Sequence, residues 1–273
     1  MRGFVAVMLL TVALVLTLAP VYWLLTISLK QPLDQFAVPP IWVRFTPTFE
    51  HYRAIWTQLN FPAYLWNSIV VAAGSSLLAL TLGTMAAYGL ARFRLPGGLD
   101  ERLSFWIVST RMFPPIVSIV PIFLLMNRLD LLNTRLSLAL VYTSFNLPVV
   151  VWMMRGFFEE VPIELEEAAL VDGMSRIGTF LRVALPLAAP GLAATAVFCL
   201  IVAWNEFLFA LVLAQTDAAI TLPVGIAGQV TQYEIRWGAM SAAGVLAMIP
   251  VLIFAFAAQR YLVRGLSLGA VKG

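Results

Sequence analysis

Six long runs of apolar residues alternate with short polar connections along the chain, and roughly 20 apolar residues suffice for a helix to span a bilayer. The pattern predicts spans over about 3–29, 65–91, 104–126, 136–154, 187–213 and 239–258. That is an all-α, polytopic membrane protein with six transmembrane helices, read as one transmembrane domain covering 1–273. Gly3 to Leu29 carries no charge. A cleaved signal peptide is the rival there, given Arg2 and the small residues near Ala19, but its apolar region would be only about 7–15 residues long. A retained first span is preferred. Lys30 to Tyr64 holds Pro32, Pro39, Pro40, Pro47 and Pro62, which predicts ordered turns outside the membrane. Gly74, Ser75, Ser76, Gly83, Ala86 and Ala87 in the second span, and Gly238, Ala242 and Ala243 at the last, predict close helix packing.

The most polar long segment is Glu159 to Gly191. Pro162 suits the first position of a helix, and Glu164, Glu166 and Glu167 bring negative charge to its opening turn, where the helix dipole favours it. Asp172-Gly173 then stops that helix, because glycine accepts a left-handed conformation at a helix end. Ser175 caps a second helix, in which Ile177, Phe180, Leu181 and Ala184 recur at helical spacing with Arg176 and Arg182 off that face. Two short helices at a bend are expected.

At these residues the chain resembles a known family. Glu167-Ala168-Ala169, three residues, Gly173, nine residues and Val183-Ala184-Leu185-Pro186 resemble the E-A-A…G…I-x-L-P signature of the membrane permease subunits of bacterial ABC importers. Val183 in place of the usual Ile is the only departure. The resemblance implies that 159–186 is a cytoplasmic coupling loop, with Glu164, Glu167, Ala168, Ala169, Asp172, Gly173, Leu185 and Pro186 at the joint to an ATPase. Ala203-Trp204-Asn205-Glu206-Phe207, Asn146-Leu147-Pro148, Arg111-Met112-Phe113-Pro114-Pro115 and the tail Leu266 to Gly273 resemble the sugar branch of that family.

Composition agrees with a membrane location. The chain is 61% hydrophobic and 11% charged, with a mean hydropathy of +0.91. Its net charge of +3 is scattered, so no basic stripe points to nucleic acid. One cysteine, Cys199, and one histidine, His51, leave little material for metal sites or nucleophilic catalysis. Lys and Arg set the orientation. With a cytoplasmic N-terminus, Arg2, Arg92, Arg94, Arg102, Arg155, Arg176, Arg182, Arg260, Arg264 and Lys272 lie inside. Lys30, Arg44, Arg53, Arg128, Arg135 and Arg236 then lie outside, ten against six. Both termini are therefore expected in the cytoplasm of a bacterial inner-membrane protein, on the same side as the E-A-A loop.

Two charges fall inside predicted spans. Arg111 is expected to extend toward water at the cytoplasmic end of the third. Glu206 should face a partner or polar cavity, because a carboxylate within a helix costs on the order of 2.5–3.5 kcal/mol on insertion scales. Sugars need neutral hydrogen-bonding groups beside flat apolar faces, and Asn146, Trp204 and Asn205, with Glu206, are the candidate pathway residues. Thr221-Leu222-Pro223-Val224-Gly225 resembles the part of sugar permeases that reaches toward the receptor protein, though a plain connecting loop fits the residues equally.

The chain has no G-x-x-x-x-G-K-[ST], so ATP and Mg are expected on a partner, and no cofactor on this chain. It also shows no inverted repeat that would let one chain build a pathway. The resemblance implies a second permease, a homologue or a second copy, with two ATPase subunits and an extracytoplasmic solute-binding protein delivering a sugar or polyol. A non-sugar solute, an ion-coupled secondary transporter and an intramembrane enzyme are the alternatives. The last two lack relay residues and a nucleophile–base pair in the spans.

Overall fold

The computed structural model describes residues 2–231 and 233–269, with side chains described for 3–231 and 233–256. In chain order the helices are α1 Arg2–Leu29, α2 Pro32–Gln35, α3 Glu50–Gln58, α4 Phe61–Arg92, α5 Leu99–Ser109, α6 Pro115–Arg128, α7 Arg135–Glu160, α8 Ile163–Val171, α9 Arg176–Thr179, α10 Leu185–Leu187, α11 Ala189–Trp204, α12 Leu208–Leu213, α13 Leu222–Ala227 and α14 Trp237–Gly269. Among the described residues the only β-type pairing is an isolated antiparallel bridge, Val230 to Ile235. Arg260, Arg264, Lys272 and the tail Leu266 to Gly273 lie outside the residues whose side chains are described.

Among the described residues four helices, α1, α4, α7 and α14, are long and apolar enough to cross a membrane unbroken. Six spans result if each of two bent pairs counts as one. The expected third span, 104–126, is broken by 94° between Pro96–Met112 and Pro115–Arg128. Phe113 (ψ 126°) and Pro114 (ψ 124°) are extended at the break. Proline supplies no N–H and drives the residue before it out of the helical region, so Phe113-Pro114-Pro115 leaves the ladder. The expected fifth span, 187–213, is bent by 77° at its start and ends as a continuous helix at Trp204. Hydropathy saw both as single runs, because prolines and a short gap barely change a windowed mean. The fourth runs to Glu160 rather than Met154, its last turn laced by an Arg155–Glu159 pair at 2.7 Å.

The chain divides into two compact units, one from residues before 66 together with 221–250, the other from 66–220 together with those after 250. In the first, the outer connection folds back on the end of α1. Ser28 Oγ and Tyr52 OH lie 2.9 Å apart, the Thr48 N–H donates to the Leu29 carbonyl at 2.8 Å, and His51 Nε2 donates to the Lys30 carbonyl at 2.8 Å. Gly238 makes room for that imidazole, since a Cβ there would collide with the ring. Lys30 is fully buried, its ammonium 4.2 Å from the Trp23 ring centroid and 5.5 Å from that of Phe45. Burial pushes that ammonium below the usual lysine range.

The second unit is built around α7. In lipid the hydrophobic effect does not hold helices together, so close packing and internal hydrogen bonds must. Gly83 of α4 meets Val150, where a Cβ would lie 2.7 Å from its side chain, and Gly191 of α11 meets the Phe157 ring, where a Cβ would overlap the ring atoms. Of the small residues expected to pack in the second span, Ser75, Ser76, Gly83 and Ala87 are buried, whereas Ala86 is exposed and a Cβ at Gly74 would meet no atom within 4 Å. At the other end, buried Asn67 donates to the carbonyls of Asp217 (3.1 Å) and Ile220 (2.8 Å) and accepts from Arg135 Nε (2.7 Å).

Candidate functional site

The E-A-A segment forms the expected pair of elements at a bend. α8 ends in a full Schellman arrangement, in which the Gly173 N–H donates to the Leu170 carbonyl (3.1 Å) and the Met174 N–H to the Ala169 carbonyl (3.0 Å). Gly173 is left-handed at φ +87°, as its place after Asp172 predicts. Ser175 Oγ then accepts from the Gly178 N–H at 3.1 Å and starts the second element.

That second element keeps Phe180 and Ala184 of the expected face but not Ile177 and Leu181. After α9 the chain widens into a π-turn over Phe180–Ala184, where the Leu185 N–H reaches the Phe180 carbonyl, and closes as α10. Pro186 brings no N–H to the Arg182 carbonyl, and the wider turn lies directly before it. The extra residue shifts the helical phase. Thr179 and Ala184 are buried and Phe180 partly so, while Ile177 and Leu181 are exposed. Leu185 packs against the core of the second unit and Pro186 is exposed.

What fixes α8 is a residue that sequence reasoning missed. Glu166 is buried, its Oε1 accepting from Arg92 Nε at 2.8 Å and its Oε2 from the Tyr88 hydroxyl at 2.7 Å. The two charged side chains are only 9% and 6% exposed. A second guanidinium nitrogen of Arg92 donates to the Val161 carbonyl at 2.8 Å, so the arginine holds both α8 and the turn that precedes it. Tyr88 also packs against Phe180 (tilted) and Phe158 (edge to face), at centroid distances of 4.8 and 5.3 Å. The end of α4, the end of α7, α8 and the π-turn are thereby joined in one small cluster. No spacing rule marks Glu166 apart from its neighbour Glu167. Its only trace in the sequence is an arginine closing a long apolar run.

The outward face of α8 carries Glu164, Glu167 and Ala168, with Val171 and Asp172 at its end, all exposed. Ala169, expected on that face, is instead buried against its own chain, because it shares the Glu166 side of the helix at i+3.

The candidate pathway residues are dispersed. Asn146 is buried in α7 and donates to the Cys199 carbonyl at 3.3 Å, while Trp204 is buried beside Phe254. Asn205 is exposed and bonds back to the Ile201 carbonyl at 2.8 Å. Glu206 does not lie within a helix as expected. It sits in the gap after α11, where its carboxylate accepts the N–H groups of Phe209 (2.9 Å) and Ala210 (3.2 Å) and so caps α12. Thr221 and Leu222 are buried, Pro223 and Val224 partly so, and Gly225 lies against Tyr64, whose ring a Cβ would strike. Arg111 does not extend toward a helix end. It donates to the carbonyl of Phe145, in the middle of α7, at 3.2 Å.

Residues 79–268 match the family model described as the binding-protein-dependent transport system inner membrane component. The chain belongs to this family. The permease is 37% identical over 262 residues to the trehalose/maltose transport system permease protein MalG of Thermococcus litoralis, covering 95% of this chain and 93% of that one. It is 38% identical over 261 residues to the trehalose transport system permease protein SugB of Mycobacterium tuberculosis, covering 94% and 93%. Among solved structures, a chain of a bacterial ABC transporter involved in import of the acidic polysaccharide alginate superposes with a TM-score of 0.79 at 25% identity, over 95% of this chain and 96% of that one. The permease is accordingly a multi-pass, α-helical inner-membrane component of a transporter.

Proposed function

We propose that this chain is one permease subunit of an ATP-driven importer for a sugar or related polyol, working by alternating access with a second permease. Two ATPase subunits would hold ATP and Mg, and an extracytoplasmic binding protein would deliver the solute. Sugar as cargo is supported by relatives whose names specify trehalose and maltose, each matched over nearly its whole length. The observation that carries the mechanism is α8, with its inner face tied to Arg92 and its outer face bare. ATP binding closes two ATPase subunits, and that motion must reach helices that never touch nucleotide. A short helix anchored to α4 and exposing Glu164, Glu167 and Ala168 gives the ATPase something rigid to grip. On this reading both termini and α8 are cytoplasmic, and Lys30 to Tyr64 lies outside.

The test is reconstitution of this chain with its co-encoded partners. The expected result is ATP-dependent, binding-protein-dependent uptake of trehalose or maltose, with Glu167→Lys reducing copurification of the ATPase by reversing the charge of a contact. Uptake by this chain alone, driven by an ion gradient, would refute the reading in favour of a secondary transporter.

A further inference from the structure

The break in the third span opens a cavity of about 550 Å³, within the range of sites that enclose small ligands. Trp106, Phe113 and Phe145 line it with Arg111, Ser118 and Ser144. Its depth is set by α7, since the Phe145 carbonyl that receives Arg111 lies ten residues after Arg135 and fifteen before Glu160. A guanidinium held there cannot reach either end of the helix, and facing lipid it would be costly. Among the described residues Arg111 forms no ion pair with a carboxylate.

The hydrogen-bonding capacity of the lining is divided in a specific way. The Ser118 hydroxyl donates to the Pro115 carbonyl (2.8 Å) and the Ser144 hydroxyl to the Val141 carbonyl (2.7 Å), so each leaves oxygen lone pairs as acceptors. Pro148, also on the lining, brings no N–H to the carbonyl of Ser144, which loses its helical donor. Donors come from Arg111, whose guanidinium has five N–H groups, one of them used on Phe145. Acceptors and donors therefore stand beside exposed aromatic faces. An anion would satisfy Arg111 but has no hydrogen to give the serine oxygens, whereas a neutral polyol both donates and accepts and has C–H faces to lay on Trp106 and Phe113.

We propose that this cavity is a subsite for one ring of a neutral sugar on its way through the membrane, with Trp106 and Phe113 stacking and Arg111 donating to hydroxyls. The proposal rests on the sugar-importer reading. It is tested in the whole transporter, reconstituted with its partners, by uptake of trehalose, maltose and the anionic digalacturonate. Trp106→Ala and Arg111→Met should each lower uptake of the neutral sugars about tenfold or more, the order expected for losing a well-made polar or stacking contact, while the ATPase still copurifies. Trp106→Phe should keep uptake within about threefold of wild type, because a ring face remains. Wild-type uptake by both disruptive variants overturns the subsite, and so does accumulation of digalacturonate alone. If none of the three is taken up, neither trehalose nor maltose is the cargo, and the accessibility measurement below decides the subsite.

A second measurement does not depend on those variants' folding, and its accessibility readout does not depend on the cargo. Ser144→Cys, in a Cys199→Ala background, should react with the water-soluble reagent 2-aminoethyl methanethiosulfonate, and trehalose should slow that reaction. Reaction only with lipid-soluble N-ethylmaleimide, or with neither reagent, overturns the proposal whether or not a sugar is carried.

Discussion

Removing the Glu166 carboxylate should disconnect motion at α8 from the membrane helices without stripping away the ATPase. In Glu166→Ala the guanidinium of Arg92, 9% exposed, keeps only the Val161 carbonyl, and the Tyr88 hydroxyl loses its acceptor. Breaking one partner of a buried pair costs about 3–5 kcal/mol. At about 1.4 kcal/mol per factor of ten, the undocked population of α8 rises by two to nearly four powers of ten. Glu166→Gln retains one carbonyl acceptor but no charge, and charge-assisted bonds are about twice as strong as neutral ones, so its effect should be roughly half in free energy. The assay is the number of sugar molecules imported per ATP hydrolysed in the reconstituted transporter, alongside copurification of the ATPase. The expected ratio falls at least about tenfold for Ala and less for Gln, with copurification kept because Glu164 and Glu167 are untouched. Arg92→Glu combined with Glu166→Arg should recover part of the ratio, although the Val161 carbonyl would still lack its donor. A wild-type ratio in Glu166→Ala, with the complex assembled, would refute the idea that this pair transmits the stroke. Should the alanine variant fail to accumulate, the glutamine and exchanged variants decide the matter.

Two further outcomes follow from the same geometry. At Gly173 a Cβ would meet no atom within 4 Å, so any effect of substitution there comes from the left-handed backbone alone. Gly173→Val should therefore cost about 1–2 kcal/mol and lower the transport-to-hydrolysis ratio, while Gly173→Asn, which tolerates that conformation, should remain near wild type; equal behaviour of the two would refute the argument. For topology, cysteines placed singly at Leu33 and Glu101, both exposed, should differ in a Cys199→Ala background. Only position 33 should be labelled by an impermeant thiol reagent from outside, and labelling at 101 alone or at both would overturn the orientation.

The parts of this protein that are legible in its sequence are those whose cause is local. A proline-led acidic turn, a glycine after an aspartate and a serine three residues before an amide donor predict α8, its stop and the next cap, and those three features are present. Hydropathy located the six apolar runs. It could not see that Phe113-Pro114-Pro115 turns one of them through a right angle, or that Glu206 would find backbone donors in a gap between helices. The second element keeps Phe180 and Ala184 on the buried face, while local periodicity gives no sign of the π-turn, which carries one residue more than a 3.6-residue period allows. Glu166 and Arg111 were illegible for a different reason. Each derives its meaning from a residue far along the chain, Arg92 in one case and Phe145 in the other, and neither partner leaves a mark on local periodicity.

Helix α1 contributes only its last turns to the first unit, from Tyr22 and Trp23 to Ser28, and residues 3–20 are exposed all round. Its own chain thus packs against no face of the helix there, and lipid would accept leucine, valine or methionine at any of those positions equally well. Tolerance to substitution along that stretch should then be indifferent to helical phase as far as this fold is concerned. A saturation scan that nevertheless found intolerant positions recurring every three or four residues would be drawing, at single-residue resolution, the footprint of whatever neighbour leans on α1 in the assembled transporter.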